Sequence, residues 1–112
     1  MAAFLAERDW EKFHDPKNLA MSIAIEAGEL MELFQWQTNA EVVDGMADPE
    51  KISRVKEELA DVMLYCLDMA RVFEIDVIDA MRDKIELNAK RYPASQFRGV
   101  ANKYDNPLQK KD

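Results

Sequence analysis

Residues 22–36 read SIAIEAGELMELFQW, and this stretch predicts a helix with a carboxylate inside its apolar face. At roughly 100° per residue, one apolar stripe contains Leu19, Ile23, Ala27, Leu30 and Phe34. Glu26 projects into this stripe, and Glu29 lies on its edge. A carboxylate that faces a protein core is costly or takes up a proton unless it is paired. The stretch therefore predicts that Glu26 meets a cation, a metal ion or a wet cavity.

The composition predicts an all-α protein. The chain has 112 residues, of which 48% are hydrophobic and 33% charged, a balance that suits one compact domain over residues 1–112. It has only three Gly and four Pro beside many Ala, Leu, Met, Glu and Lys, which favours helices over strands. Many apolar residues on few helices also indicate that part of the apolar surface is an interface between copies of the chain.

Charge and cysteine content exclude several classes of protein. A net charge of -7 argues against a binder of nucleic-acid polymers, which needs a basic face. The single cysteine, Cys66, has no partner for an internal disulfide and is expected to be an inert core thiol in a reducing compartment. The sequence opens with no signal-peptide pattern and contains no apolar run long enough to span a bilayer. We therefore expect a cytoplasmic protein without a membrane partner.

Periodicity and capping residues predict four main helices. Asp15-Pro16, Asp48-Pro49 and Asp76 are helix-start signals, and Tyr92-Pro93 is a stop signal. The predicted helices span residues 3–13, 16 to about 37, 49–73 and 77–91. Residues 39–47 are expected to form a connection with room for a short helical turn. Residues 94–112 are expected to form an extended, partly mobile tail.

An internal repeat duplicates the buried acidic pair. When the second helix is shifted by 32 positions it matches the third, so that Glu26 lies over Glu58 and Glu29 over Asp61. Matching apolar positions accompany the two pairs. In an antiparallel helix pair the two sets of carboxylates can face each other. We call Glu26, Glu29, Glu58 and Asp61 the carboxylate cluster.

Four converging carboxylates require neutralisation because like charges a few ångströms apart oppose one another's ionisation. Oxygen ligands alone suit Mg²⁺, or Mn²⁺ in its place, and such a site keeps open positions for water and substrate phosphates. Zinc would need His or Cys ligands, of which the chain has one each. A di-iron site of the four-helix type is excluded because it takes an E-x-x-H motif from each of two helices.

Other candidate residues have both a structural and a functional interpretation. Lys84, Asn88 and Arg91 recur at i, i+4 and i+7, which suits either a solvated helix face or a clamp on a polyphosphate. The aromatic residues Trp10, Trp36 and Tyr65 either fill the core or stack on a base. His14 either caps a helix or hydrogen-bonds a ligand.

Four sequence blocks resemble those of a known family. The blocks are RDWEKFHDPKNL (8–19), GELMELFQW (28–36), EELADVMLY (57–65) and KIELNAKRYP (84–93). They include an E-x-x-E motif at Glu26 and Glu29, 28 intervening residues, and an E-x-x-D motif at Glu58 and Asp61. The chain is similar to the MazG-like all-α nucleoside triphosphate pyrophosphohydrolases, and it most resembles their dCTP pyrophosphatase branch.

The resemblance implies a fold, a reaction and an assembly. It implies a four-helix-bundle-type MazG-like fold that forms a homodimer or homotetramer with active sites shared between protomers. The expected reaction is hydrolysis of a nucleoside triphosphate, with dCTP or a related dNTP as substrate, to the monophosphate and pyrophosphate. Mg²⁺ would be held by the carboxylate cluster, whose four residues are the expected catalytic group. Such an enzyme would sanitise or balance the nucleotide pool.

The resemblance also implies roles for residues outside the carboxylate cluster. Lys84, Asn88 and Arg91 would engage the phosphates. The nucleoside pocket would be lined by Trp10, His14, Trp36 and Tyr65. Further motif positions are matched by Tyr92, Lys103 and Tyr104, and the resemblance implies that Tyr92 and Tyr104 contact the substrate. An alternative hypothesis is a catalytically silent helical module for oligomerisation or nucleotide sensing, which would leave dCTP and Mg²⁺ unreacted.

Overall fold

The computed structural model describes residues 2–10 and 15–99, which form helices and no strand. The helices are α1 (Ala2–Glu7), α2 (Pro16–Glu32), α3 (Asn39–Asp44), α4 (Pro49–Val72), α5 (Val77–Arg91) and α6 (Ala94–Phe97). The predicted all-α class is confirmed. Backbone contacts group the chain into two units, Met1–Ile75 and Asp76–Asp112.

The helix starts are those that the sequence predicts. The side chains of Asp15, Asp48 and Asp76 each accept a hydrogen bond from a backbone N–H in the first turn of α2, α4 and α5, at 2.8, 3.0 and 3.1 Å. Pro16 and Pro49 occupy the first helical positions, where a missing N–H costs nothing. Thr38 caps α3 in the same way, through the N–H of Glu41 at 3.2 Å.

Two helices end in a left-handed residue that is not glycine. After α1, Asp9 has φ 55°, and the Trp10 N–H donates to the Leu5 carbonyl at 3.0 Å. After α4, Glu74 has φ 55°, and the Ile75 N–H donates to the Ala70 carbonyl at 2.8 Å. Both are Schellman endings, which satisfy carbonyls that the helix leaves free. The predicted continuation of the first helix through residues 8–10 is therefore wrong, because Asp9 leaves the right-handed helical conformation. Residues 11–13 of that prediction lie outside the described residues.

Two further boundaries differ from the prediction. Helix α2 ends at Glu32 instead of about residue 37, because Leu33, Phe34 and Gln37 bond to carbonyls three residues earlier and tighten the chain into successive turns. The tail predicted to be extended from residue 94 begins instead with α6, where the rings of Tyr92 and Phe97 meet edge to face at 5.1 Å. The rest of the predicted tail, residues 100–112 with Lys103 and Tyr104, lies outside the described residues.

Helices α2 and α4 form the main packed pair of the first unit. The end of α2 faces the start of α4, so the two run antiparallel. Among the described residues, the buried ones are Leu5, Leu19, Asp68 and Ala70, of which Ala70 keeps a small exposed fraction. Cys66, predicted to lie in the core, is half-buried. The predicted apolar stripe of α2 is mostly half-buried, and on α4 Leu59 remains 48% exposed.

Much apolar surface of the protomer is uncovered. Every residue from 78 to 91 in α5 is exposed, including Ile78, Met81, Ile85 and Leu87. Ile25 and Met31 of α2 are also more than half exposed. Across the described helices, none combines the length and apolar character that a bilayer crossing requires.

Candidate active site

The carboxylate cluster forms between α2 and α4 as the repeat predicts. Glu26 and Glu29 project from α2, and Glu58 and Asp61 project from α4. Each of the four residues offers one oxygen, and these oxygens all lie within 4.8 Å of one another. The first residue of each pair, Glu26 and Glu58, is half-buried, and the second is exposed. One side of the cluster is therefore enclosed by the helix pair and the other is open to solvent.

The surroundings of the cluster disfavour ionisation of its inner carboxylates. Burial raises the pKa of Glu26 from 4.5 to about 7, and contact with the Glu29 carboxyl together with the charges of Asp61 and Glu58 adds to this rise. Burial also raises the pKa of Glu58, with further contributions from the charges of Glu29 and Asp61. Near neutral pH the cluster therefore favours partial protonation or a bound cation.

Two buried oxygen atoms fit a metal ion. Oε2 of Glu26 and Oε2 of Glu58 are buried and have no hydrogen-bond partner among the residues that the structure describes. Such atoms are rare in folded proteins unless an unseen ligand or water satisfies them. A hard divalent cation that takes oxygen ligands satisfies both atoms and neutralises the cluster. The donor set therefore fits the divalent cation that the sequence predicts.

The aromatic residues Trp36 and Tyr65 lie on opposite sides of the cluster. Trp36 follows Glu29 by seven residues and Tyr65 follows Asp61 by four, and the two helices run antiparallel. Glu26 lies level with Asp61, so the helical residues alone, from Asp61 to Tyr65 and from Glu26 to Glu32, give an axial separation of roughly 15 Å at about 1.5 Å per residue. Trp36 is 88% exposed, whereas Tyr65 is half-buried. The two residues therefore lie at different levels along the helix pair of one protomer.

The remaining predicted nucleoside contacts lie before α2. Trp10 is 45% exposed, and its ring meets Phe4 edge to face at 5.7 Å. The guanidinium of Arg8 lies over the Phe4 ring, 3.8 Å from its centroid. His14 lies outside the described residues.

The predicted phosphate contacts belong to the second unit. Lys84, Asn88 and Arg91 are exposed on α5, and the half-buried Tyr92 follows that helix. The carboxylate cluster belongs to the first unit. The phosphate contacts of Lys84, Asn88 and Arg91 and the substrate contact of Tyr92 remain predictions.

Sequence reasoning missed a cavity of about 440 Å³ next to the cluster. Helix α3 and its flanking turns form one side of it, and the end of α2 and the start of α4 form the other. Its apolar walls contain Leu33, Phe34, Val42, Met46, Ile52, Val55 and Leu59, and its polar side chains are Gln37, Lys51, Arg54 and Lys56. We call it the α3 cavity. The sequence signal that could have indicated this cavity is the grouping of Lys51, Arg54 and Lys56 within six residues of an otherwise acidic chain.

A buried ion pair was also missed. Asp68 has a fully buried side chain, and its Oδ1 accepts hydrogen bonds from Arg71 Nε at 2.9 Å and Nη2 at 2.7 Å. The two residues are three positions apart, so the signal was a D-x-x-R spacing on one helix face. The pair lies two turns beyond Asp61 on α4 and stabilises the helix end farthest from the α3 cavity.

Comparison with known proteins agrees with the geometry. The sequence profile described as the MazG-like family matches residues 21–106. Curated relatives named dCTP pyrophosphatase 1, from Rattus norvegicus and Homo sapiens, are 43% and 42% identical over 103 residues, which is 92% of this chain. The chain spans 61% of the length of each of these relatives.

A solved structure has the same fold. The crystal structure of a pyrophosphatase from Archaeoglobus fulgidus superposes with a TM-score of 0.75 at 42% sequence identity, covering 82% of this chain and 84% of that one. The family profile includes all four residues of the carboxylate cluster. The chain belongs to the MazG-like family.

Proposed function

We propose that this chain hydrolyses a nucleoside triphosphate, with dCTP or a related dNTP as substrate, to the monophosphate and pyrophosphate. The observation that carries the proposal is the carboxylate cluster, with oxygens within 4.8 Å of one another and two buried oxygens without a protein partner among the described residues. The names of the two curated relatives support dCTP as the substrate. The proposed role is sanitation or balance of the nucleotide pool.

We assign Mg²⁺ as the cofactor, with Mn²⁺ able to replace it. Glu26, Glu29, Glu58 and Asp61 would hold the ion. The chemistry that a bound Mg²⁺ supplies is neutralisation of phosphate charge and polarisation of the α-phosphorus. The exposed pair, Glu29 and Asp61, faces the solvent from which substrate and water arrive.

A carboxylate of the cluster also has a role toward the attacking water. A carboxylate that is not fully engaged with the metal ion can orient this water and take its proton as it attacks the phosphorus. Pyrophosphate is a good leaving group when its charge is neutralised, so no covalent protein intermediate is required.

We further propose that the active site is completed by a second copy of the chain, in a homodimer or homotetramer. Within one chain, Trp36 and Tyr65 lie in opposite directions from the cluster along the helix pair. A nucleoside that contacts both kinds of aromatic side chain would therefore take them from two protomers. The exposed apolar face of α5 supports the same assembly. We place the enzyme in the cytoplasm, where its dNTP substrates occur.

The test is to incubate the protein with dCTP and Mg²⁺ and to quantify dCMP and pyrophosphate. Glu26→Gln and Asp61→Asn should each reduce turnover by at least about 100-fold, because each removes a charged ligand of the cluster. Glu32→Gln is the matched control, since Glu32 is exposed on the same helix outside the cluster. Circular dichroism should report unchanged helicity in all three variants.

Two results would reject the proposal. Full activity in Glu26→Gln and Asp61→Asn would remove the cluster from the mechanism. No dCMP from the wild-type protein with any dNTP would favour the silent oligomerisation or nucleotide-sensing module. Competition among the four dNTPs and their ribose counterparts would then define the preferred base and sugar.

A further inference from the structure

The α3 cavity combines an apolar interior with a cationic rim. Its volume of about 440 Å³ is within the range of small-molecule sites. Phe34, Met46 and Leu59 are among its larger apolar walls, and Gln37 supplies one amide that both donates and accepts hydrogen bonds. A flat ring with polar edges fits such a lining better than a purely aliphatic chain.

Three cations line the cavity without a partner of opposite charge. Within the described ranges 2–10 and 15–99, Lys51, Arg54 and Lys56 form no ion pair. The Lys51 side chain lies across Gly45, where an added Cβ would stand 2.8 Å from its Nζ. No Asp or Glu is among the residues that line the cavity, although the protein as a whole carries a charge of -7. The rim therefore favours an anion.

The cavity is separate from the carboxylate cluster and opposite to it in charge. Leu33 is one helical turn beyond Glu29, and Val55 is three residues before Glu58. Phosphate binding at the cluster requires a metal ion, because four carboxylates repel an anion. Phosphate binding at the cavity requires none.

We propose that the α3 cavity binds a nucleoside monophosphate, with the base between the apolar walls and the phosphate against Lys51, Arg54 and Lys56. Three cations exceed the charge of about -2 on a monophosphate near neutral pH but do not balance a triphosphate. The choice of a nucleotide rests on the proposed function, which releases a monophosphate one helical turn away. Occupation of the cavity would let the product act on the enzyme without competing for the metal.

The test uses calorimetric titration of the full chain with dCMP in the presence of EDTA. We expect saturable binding of one dCMP per chain. Lys51→Gln combined with Arg54→Gln should weaken it at least about tenfold through loss of two charged contacts. Val42→Trp should abolish it by filling the cavity. Lys17→Gln is the control, since Lys17 is exposed on α2 and does not line the cavity.

Several outcomes would overturn the inference without touching the proposed function. One is normal Mg²⁺-dependent hydrolysis of dCTP with no binding of dCMP in EDTA. A second is binding that the double variant and Val42→Trp both leave unchanged. A third is inorganic phosphate binding as tightly as dCMP, which would make the apolar walls irrelevant. A fourth is the absence of dCMP binding to the wild type together with a change of oligomeric state in Val42→Trp, which would mean that a second copy covers the cavity.

The converse outcome separates the two proposals. If dCMP binds in EDTA and the cavity variants weaken it, but no dNTP is hydrolysed, the cavity assignment stands and the proposed activity fails. Circular dichroism of each variant confirms that a loss of binding is not a loss of fold.

Discussion

Mg²⁺ binding to the carboxylate cluster should release a proton. The pKa of Glu26 is about 7, and a carboxylate must be deprotonated to bind a metal ion. If one proton with this pKa has to leave, the apparent affinity for Mg²⁺ should fall about 25-fold between pH 7.5 and pH 5.5. Glu58, whose pKa is also raised, would make the fall steeper.

Isothermal titration calorimetry measures this effect directly. At pH 6 in two buffers of different ionisation enthalpy, the wild-type protein should release about 0.9 proton per Mg²⁺ bound at Glu26 alone. Glu26→Gln should bind Mg²⁺ more weakly and release less than the wild type, whereas Glu32→Gln should behave as the wild type. An affinity that is flat between these pH values, with no proton released, would refute the idea that burial holds a proton on the cluster.

Three further predictions concern stability. The first is measured in EDTA, where the raised pKa of Glu26 favours its protonated form in the folded state. The unfolding free energy of the wild type should therefore fall relative to that of Glu26→Gln as the pH rises from about 4.5 to 7. A difference in unfolding free energy that does not depend on pH would contradict this. Arg71→Gln should lower the free energy of unfolding in urea by about 2 kcal/mol, because it removes a partner of the buried Asp68 carboxylate. A decrease below about 0.5 kcal/mol would show that the ion pair contributes little to stability. Glu74→Gly should stabilise the protein by about 0.5–1 kcal/mol, because Glu74 has φ 55° and glycine adopts this conformation without a steric cost. Glu74→Ala should give no such gain. Equal effects of the two variants in chemical denaturation would exclude backbone strain as the cause.

The carboxylate cluster could be predicted from the sequence because both of its halves follow a local rule. Helical periodicity places Glu26 in an apolar stripe, and the same pattern recurs at Glu58. Proline and aspartate signals fix where α2 and α4 begin, and a short connection brings the helices back together. Local patterns and chain length together suffice to align the two acidic pairs.

Other features depend on interactions that a pattern does not encode. A left-handed residue after a helix is usually glycine, which marks the helix end in the sequence. After α1 this residue is Asp9, so the sequence gives no such mark for the end of the helix at Glu7. The α3 cavity exists because α3 covers the open end of the α2–α4 pair, which is a tertiary arrangement. The exposure of Trp36 also depends on the early end of α2 at Glu32.

If the carboxylate cluster directs water to the α-phosphorus of a nucleoside triphosphate, the oxygen of that water must end in the monophosphate. Hydrolysis of dCTP in ¹⁸O-labelled water with Mg²⁺, followed by mass spectrometry of both products, measures this. The label should be found in dCMP, and pyrophosphate should be unlabelled. Label in pyrophosphate, or orthophosphate as the product, would contradict attack at the α-phosphorus.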